Sequence, residues 1–131
     1  MSPSSRDAKL VEEWRELLDR HARTTCALEH CLAEHDLGVS EFEVLERLAT
    51  GEKAASRMQD LADAVHLSQS ALSRVVARLE TDGLVARQMC SEDRRGIYAQ
   101  LTPAGRERYE AAKPAQRAVL ADALSPQATR T

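Results

Sequence analysis

The chain has 131 residues, enough for one domain (1–131) with a hydrophobic core, and its net charge of -3 argues against coating of nucleic acid through bulk positive charge. A local basic surface remains possible, because steering depends on where the charges lie. No apolar run approaches the roughly 18 residues of a membrane span, and the three cysteines lack the spacing of a disulfide framework, so we expect a cytoplasmic protein without membrane contact.

A long helical pattern covers residues 7–35, where apolar side chains recur every three or four positions without an intervening proline or glycine. A helix of this length is too long for a small domain to cover. Part of its apolar stripe is therefore expected to meet a second subunit. The alternative is a helix that packs wholly within its own chain.

Two shorter helices are predicted by capping boxes, in which a hydroxyl and an acid or amide three residues later satisfy backbone groups at a helix start. Ser40 with Glu43 precedes an apolar run that ends at Gly51, and Ser56 with Gln59 precedes another run. The second of these helices lies only a few residues before the central run of the chain.

The central run covers residues 67–84 and has the period of a helix. Four aliphatic side chains share one stripe of it: Leu72, Val75, Val76 and Leu79. Short polar side chains and Arg74 point the opposite way. Ser68 can cap the start, and Gly83 supplies the left-handed conformation that ends a helix. The short connection before this helix has the length found in a helix-turn-helix.

After the central helix the hydrophobic period changes to two, which predicts strands over residues 84–89 and 97–102. The charged loop CSEDRRG joins them into a hairpin. A last helix, 103–124, is predicted with Thr102 as its N-cap and a kink at Pro114.

These elements predict a mainly α fold with a small β-hairpin wing. Residues 40–102 form a winged helix-turn-helix in this prediction, which is the DNA-binding region. Residues 7–35 and 103–124 form a helical dimerisation region beside it.

The outward face of the central helix is suited to the major groove of DNA, because its side chains are short enough to approach base edges and polar enough to bond them. These side chains are Gln69, Ser70, Ser73 and Arg74. Arg74 can reach guanine, and Arg78 a phosphate. In an extended loop Asp93 and Arg95 share one side while Arg94 faces away, so the carboxylate can direct Arg95 into a narrow minor groove. A solvated hairpin tip is the alternative.

The run SQSALSRVVARLETDGLVARQMCSEDRRGIYAQLTPAG resembles the DNA-binding core of the MarR family of bacterial transcriptional regulators. The segments DGLV-R, DRR and LT-AG carry the resemblance, and the order of the elements extends it over nearly the whole chain. It implies a homodimer that binds a palindromic operator, as a repressor released by a small ligand. The matching recognition-helix positions are Ser68, Gln69, Ser70, Ser73 and Arg74; Arg95 matches the minor-groove residue and Asp93 its support.

The resemblance also implies a small aromatic effector, held between the dimer helices and the winged region. The candidates for lining its cavity are Trp14, Leu18, His21, Phe42 and Leu45. The alternative is that these side chains are ordinary core.

The three cysteines are predicted to differ in reactivity. Cys90 borders the charged loop, where arginines can lower a thiol pKa, so it is the candidate for oxidation. Cys26 and Cys31 are expected to be buried apolar side chains. Their spacing to His30 and His35 supplies too few ligands for a zinc site. We expect no metal and no cofactor.

Two other functions compete with DNA binding. A winged helix can serve as a protein-protein interaction module without DNA binding, and the acidic net charge favours that alternative. An enzyme is the other, but the chain has no nucleophile with a spaced base and no phosphate-binding glycine loop. We therefore predict no enzymatic activity.

Overall fold

Regular elements follow one another along the residues that the computed structural model describes, which are 4–89 and 96–124. Their bounds are α1 Ser4–Ala33, α2 Val39–Thr50, β1 Ala55–Arg57, α3 Met58–Ala64, α4 Gln69–Thr81, β2 Val85–Met89, β3 Ile97–Leu101 and α5 Pro103–Leu124. The strands form one antiparallel sheet in the order β1-β3-β2. The predictions for Cys90, Asp93, Arg94 and Arg95 lie outside the described residues.

The limits of α4 confirm the prediction for the central helix. Ser68 Oγ accepts a hydrogen bond from Ala71 N at 3.1 Å, which caps the start. At the other end Gly83 has a φ of 77°, and its N donates to Glu80 O at 2.9 Å. Leu84 N donates back to the last turn as well, so the helix closes as glycine-terminated helices commonly do.

The capping box predicted at Ser40 is wrong. The N-cap lies two residues earlier, at Gly38, so the helix begins at Val39, and Gly38 N donates to Glu41 Oε1 at 2.6 Å. The pair that satisfies the helix start is therefore Gly38 with Glu41, in place of Ser40 with Glu43. Acids follow both candidate caps at the required spacing, and local spacing alone does not choose between them.

The wing sheet contains a strand that the sequence pattern did not predict. Residues 55–57 pair antiparallel with residues 98–100 of β3, so the helix expected to start at Ser56 starts at Met58. Ser56 Oγ donates to Arg57 O at 3.2 Å and caps no helix. The free edge of β3 offers backbone partners to this segment, and three residues are too few to show a strand period.

The hydrophobic core lies where α2 and α4 pack against the sheet and the adjoining parts of α1 and α5. Its large, fully buried side chains are Leu32, Phe42, Val44, Leu45, Leu48, Leu61, Leu72, Val76, Leu79 and Leu84. The rings of Phe42 and Tyr109 lie 5.4 Å apart between centroids and join α2 to α5. Among the described residues no helix has the length and apolar character needed to cross a bilayer.

The described residues leave the N-terminal half of α1 largely uncovered. Its apolar side chains are largely exposed: Leu10, Val11, Trp14, Leu17 and Leu18. Packing against α2 and α5 involves later turns, where Leu28 and Leu32 are buried. The alternative of a first helix packed wholly within its own chain is therefore wrong. Helix α5 remains one helix on both sides of Pro114.

The start of α5 lies against the start of the wing. Thr102 Oγ1 donates to Gly83 O at 2.7 Å and accepts from Gly105 N at 3.0 Å, so Thr102 caps α5 as predicted. Gly105 is buried, and a Cβ at this position would lie 2.0 Å from Leu84 O. The contact between helix and hairpin therefore requires a residue without a side chain.

Gly105→Ala is expected to lower the free energy of unfolding by about 2–3 kcal/mol, because a methyl group against a backbone oxygen forces α5 away from Leu84. This clash outweighs the roughly 1 kcal/mol that alanine gains over glycine in helix propensity. Urea unfolding measures the change. The control is Ala104→Ser at the neighbouring exposed position, with a change within about 0.5 kcal/mol. An unfolding midpoint equal to that of the wild type would contradict the requirement for glycine.

Candidate nucleic-acid interface

The orientation of α4 is set by its inward stripe. Leu72, Val76 and Leu79 are completely buried. Burial of each such side chain contributes about 1.5–3 kcal/mol, so rotation of the helix about its own axis is strongly opposed. The opposite face, at the N-terminal half of the helix, consequently points to solvent.

The structure brings four of the predicted recognition residues together on this outward face. They are Ser68, Gln69, Ser70 and Arg74, and all four are exposed. In the part of the chain that the structure describes, the Arg74 guanidinium has no hydrogen-bond or ion-pair partner. Ser68 Oγ is already occupied by its capping bond and lies 3.3 Å from Ser70 Oγ. Arg74, Gln69 and Ser70 therefore have the greater freedom to meet a ligand.

Ser73 lies on the flank of α4 that faces β2. Its side chain is half-buried, and its backbone O accepts a hydrogen bond from Arg87 Nη2 at 2.9 Å. The sequence analysis included Arg87 only as the last residue of the DGLV-R segment and assigned it no role. Its contact with α4 could not be inferred, because a strand pattern does not show which helix the side chain reaches.

Arg78 is held by a carboxylate that the sequence analysis did not identify. Arg78 Nε lies 3.2 Å from Glu41 Oε2, and the Glu41 side chain is only 10% exposed, whereas that of Arg78 is 77% exposed. Glu41 also accepts from Gly38 N, so it joins the start of α2 to α4. An ion pair through Nε fixes the direction of the guanidinium and leaves its other nitrogens in solvent.

The predicted effector residues do not form one cavity. A cleft of about 390 Å³ lies between α1, α2 and α5, and His21 and Phe42 both line it. Trp14 and Leu18 are exposed on α1 and lie outside this cleft. Leu45 is completely buried, so for this residue ordinary core is the correct alternative.

The charged residues of the cleft come from helices far apart in the sequence. Arg117 Nη2 lies 2.6 Å from Glu46 Oε1, and Tyr109 Oη donates to the same oxygen at 3.2 Å. Burial raises the pKa of the Tyr109 hydroxyl, and the Glu46 carboxylate adds to this effect. Burial also raises the pKa of Glu43, again with help from Glu46. The cleft therefore combines apolar walls with one cation and two neighbouring acids.

The cysteines differ from their prediction. Cys26 is exposed and Cys31 is partly buried, so the expectation of two buried thiols is wrong. Cys31 Sγ donates to Leu28 O at 3.4 Å, and burial, followed by the Glu34 carboxylate, raises the pKa of this thiol. A raised pKa lowers the thiolate fraction and hence the reactivity. Among the described residues no three His, Cys, Asp or Glu side chains are grouped so that they could hold a metal ion.

Comparison with known proteins gives the same architecture. A family model described as MarR family matches residues 35–96. AbsC, a MarR family transcriptional regulator from Streptomyces coelicolor, is 32% identical, and the likeness covers 97% of this chain and 85% of AbsC with a TM-score of 0.82. The chain belongs to the MarR family. Its winged-helix fold class is thereby confirmed, as is its predicted resemblance to MarR family transcriptional regulators.

Two further transcriptional regulators extend the comparison. Sco3205 from Streptomyces coelicolor, a MarR family regulator solved in complex with DNA, is 27% identical with a TM-score of 0.84, over 94% of this chain and 80% of Sco3205. The HTH-type transcriptional regulator YkoM of Bacillus subtilis is 30% identical over 92 residues, which is 70% of this chain. The chain spans 58% of the length of YkoM.

Glu43→Gln is expected to raise the free energy of unfolding at pH 7 by a few tenths of a kcal/mol, a small effect because the carboxylate is only half-buried. The pKa of Glu43 is raised in the folded state, so the native protein binds this proton more tightly than the unfolded chain does. The stability that it contributes is full below the unfolded pKa of about 4.3 and is lost as pH rises through the folded pKa.

Urea unfolding at several pH values between 4 and 8 tests this expectation. The advantage of Glu43→Gln over the wild type should shrink towards pH 4. Glu52→Gln, at an exposed turn position, is the control and should show no such trend. An advantage that grows as the solution becomes more acidic would contradict the raised pKa.

Proposed function

We propose that this MarR family regulator binds a palindromic DNA operator as a homodimer and acts as a repressor that a small aromatic ligand releases. The observation that carries the proposal is the outward face of α4, where exposed polar side chains, among them Arg74, lie opposite a completely buried stripe. A helix with this surface fits the major groove and can bond base edges. DNA as the partner is consistent with the cytoplasmic location expected from the sequence.

The contacts with DNA divide into reading and positioning groups. Gln69, Ser70 and Arg74 meet bases, and Arg78 meets a phosphate with the nitrogens that Glu41 leaves in solvent. The minor-groove contact by Arg95, with Asp93 as its support and Arg94 beside it, belongs to the same proposal and rests on the sequence alone.

A second copy of the chain is the proposed occupant of the exposed face of α1. Trp14 is 58% exposed and Leu17 61% exposed, and α5 packs beside the later turns of the same helix. A soluble monomer rarely leaves so many large apolar side chains in a row in water. Two recognition helices of a symmetric dimer enter one face of the duplex when they lie about 34 Å apart, and steric occlusion of a promoter then follows.

Ligand release is supported by the double role of α2. Phe42 and Glu43 line the cleft on one side of this helix, whereas Glu41 on another side holds Arg78 of α4. A ligand that shifts α2 therefore also shifts the recognition helix. A small change in the angle of each subunit moves one recognition helix out of its half-site.

The protein is first used to select bound fragments from genomic DNA, and the selected fragments are then tested by gel shift at increasing salt. Affinity should fall steeply with salt, because phosphate contacts release counterions. The net charge of -3 favours the other candidate, a protein-protein interaction module. Selection of no fragment, or weak binding without salt dependence, would support that candidate.

Arg74→Ala is expected to weaken binding to a selected fragment by about 10-fold or more, because it removes a contact to a base edge. The control is Arg106→Ala, which removes one positive charge from an exposed position on α5 and should change affinity less than threefold. Fluorescence anisotropy at constant salt measures both. Equal losses in the two variants would show that charge alone, and not the α4 face, governs binding.

Trp14→Glu is expected to convert the dimer to a monomer at micromolar concentration, because a charge is then buried against the apolar stripe of the second copy. Sedimentation velocity measures the mass. Ala8→Glu adds the same charge on another side of the same helix and should remain dimeric. A wild-type protein that sediments as a monomer would contradict the proposed interface.

A further inference from the structure

The side chain of Arg87, at the base of the wing hairpin, makes polar contacts with the recognition helix α4. We propose that Arg87 is a positioning residue for DNA binding, which fixes the angle of the hairpin on α4 and so sets the wing relative to the recognition helix. This inference rests on the proposed DNA-binding function. The role is distinct from DNA contact, because the guanidinium is turned towards the protein.

The contacts of Arg87 span two turns of α4. Its Nη2 donates to Ser73 O at 2.9 Å, and its Nε lies 2.9 Å from Glu80 Oε1. Ser73 and Glu80 are seven positions apart, which is about 10 Å along a helix axis. Both side chains of the ion pair are partly buried, with exposures of 30% for Arg87 and 36% for Glu80. The guanidinium therefore contacts groups that belong to different turns of the helix.

Arg87 stands where the hairpin leaves the body of the protein. Along β2, Val85 is buried, Arg87 is half-buried and Met89 is 71% exposed. Arg87 pairs with Ala99, which is completely buried, whereas Met89 pairs with Ile97, which is 43% exposed. Beyond Arg87, β3 still contacts β1, where Tyr98 pairs with Arg57. Among the described residues of the hairpin, however, Arg87 is the outermost side chain that a hydrogen bond or ion pair joins to α4.

Because Arg87 lies at the base of the hairpin, a small change of angle there displaces residues further along the strands. A strand extends by about 3.3 Å per residue, so the end of β2 at Met89 lies about 7 Å beyond Arg87. A tilt of about 20° at the base then moves this end by about 2 Å, a third of the width of a minor groove of about 6 Å. A small loss of angular restraint is therefore sufficient to misplace a minor-groove contact while α4 stays in the major groove.

Arginine is suited to this task and lysine is not. The planar guanidinium presents its N–H groups in fixed directions, so it can donate to the Ser73 carbonyl while it lies beside the Glu80 carboxylate, whereas a lysine ammonium is a single point of charge on a flexible stem. Removal of Arg87 also leaves the Glu80 carboxylate without its cation.

The test compares both grooves of one DNA fragment with one reagent. Dimethyl sulfate methylates guanine N7 in the major groove and adenine N3 in the minor groove. A genomic fragment selected by the wild-type protein is footprinted with saturating wild type, Arg87→Met and the charge-matched control Arg106→Met. The wild type and Arg106→Met should protect both kinds of site. Arg87→Met should keep the guanine protection and lose the adenine protection, with an affinity about 10-fold weaker.

Two further variants separate positioning from simple stability. Glu80→Gln keeps the bond to Ser73 and loses the ion pair, so it should lose part of the adenine protection even if Arg87→Met fails to fold. Arg87→Lys satisfies one partner at a time and should not restore the full footprint. Parallel loss of guanine and adenine protection in the folded variants, or full adenine protection in Arg87→Met, would overturn the inference.

The wild-type footprint distinguishes the two proposals. A wild type that protects neither groove on any selected fragment contradicts the proposed function itself. A wild type that protects guanine N7 but no adenine N3 leaves the proposed function standing and overturns the role of Arg87.

Discussion

The buried stripe of α4 is the constraint on which the rest of the structure depends. Leu72, Val76 and Leu79 have no exposed surface, and they face a core built by α2 and the sheet. Because a helix has a fixed angular spacing, complete burial of these positions decides what every other residue of α4 faces. Arg74 is directed outward for this reason, and not because of any polar contact that holds it there.

Polar contacts on the sides of α4 join this helix to its neighbouring elements. Glu41 joins α4 to α2, and Arg87 joins it to β2. Each tie is a charged pair with at least one partly buried member, and such pairs fix geometry more effectively than they add stability. The position of the recognition helix is thus fixed on one side relative to α2, which lines the cleft, and on another side relative to the wing.

Sequence reasoning succeeded where the signal was local and failed where it depended on the fold. The limits of α4 followed from Ser68, Gly83 and a strong apolar period, which all act within a few residues. Strand β1 was not predicted, because the residues it pairs with lie more than forty positions away in β3. Of the residues predicted for a ligand cavity, His21 and Phe42 line the cleft, whereas Arg117 of α5 was not foreseen because it comes from a distant part of the sequence. Exposed apolar side chains such as Trp14 have the same sequence pattern as core ones. The charged residues at the wing tip lie outside the described structure and remain predictions.

The close approach of Gly105 to Leu84 couples the position of α5 to that of the wing. Gly105 of α5 packs against Leu84 with no room for a methyl group, so the helix and the first residues of the wing cannot move separately at this point. Thr102 makes two hydrogen bonds at the same junction. We therefore expect α5 and the first residues of the wing to rotate together. A change in the angle of α5 is thus expected to alter the direction in which the hairpin leaves the body of the protein.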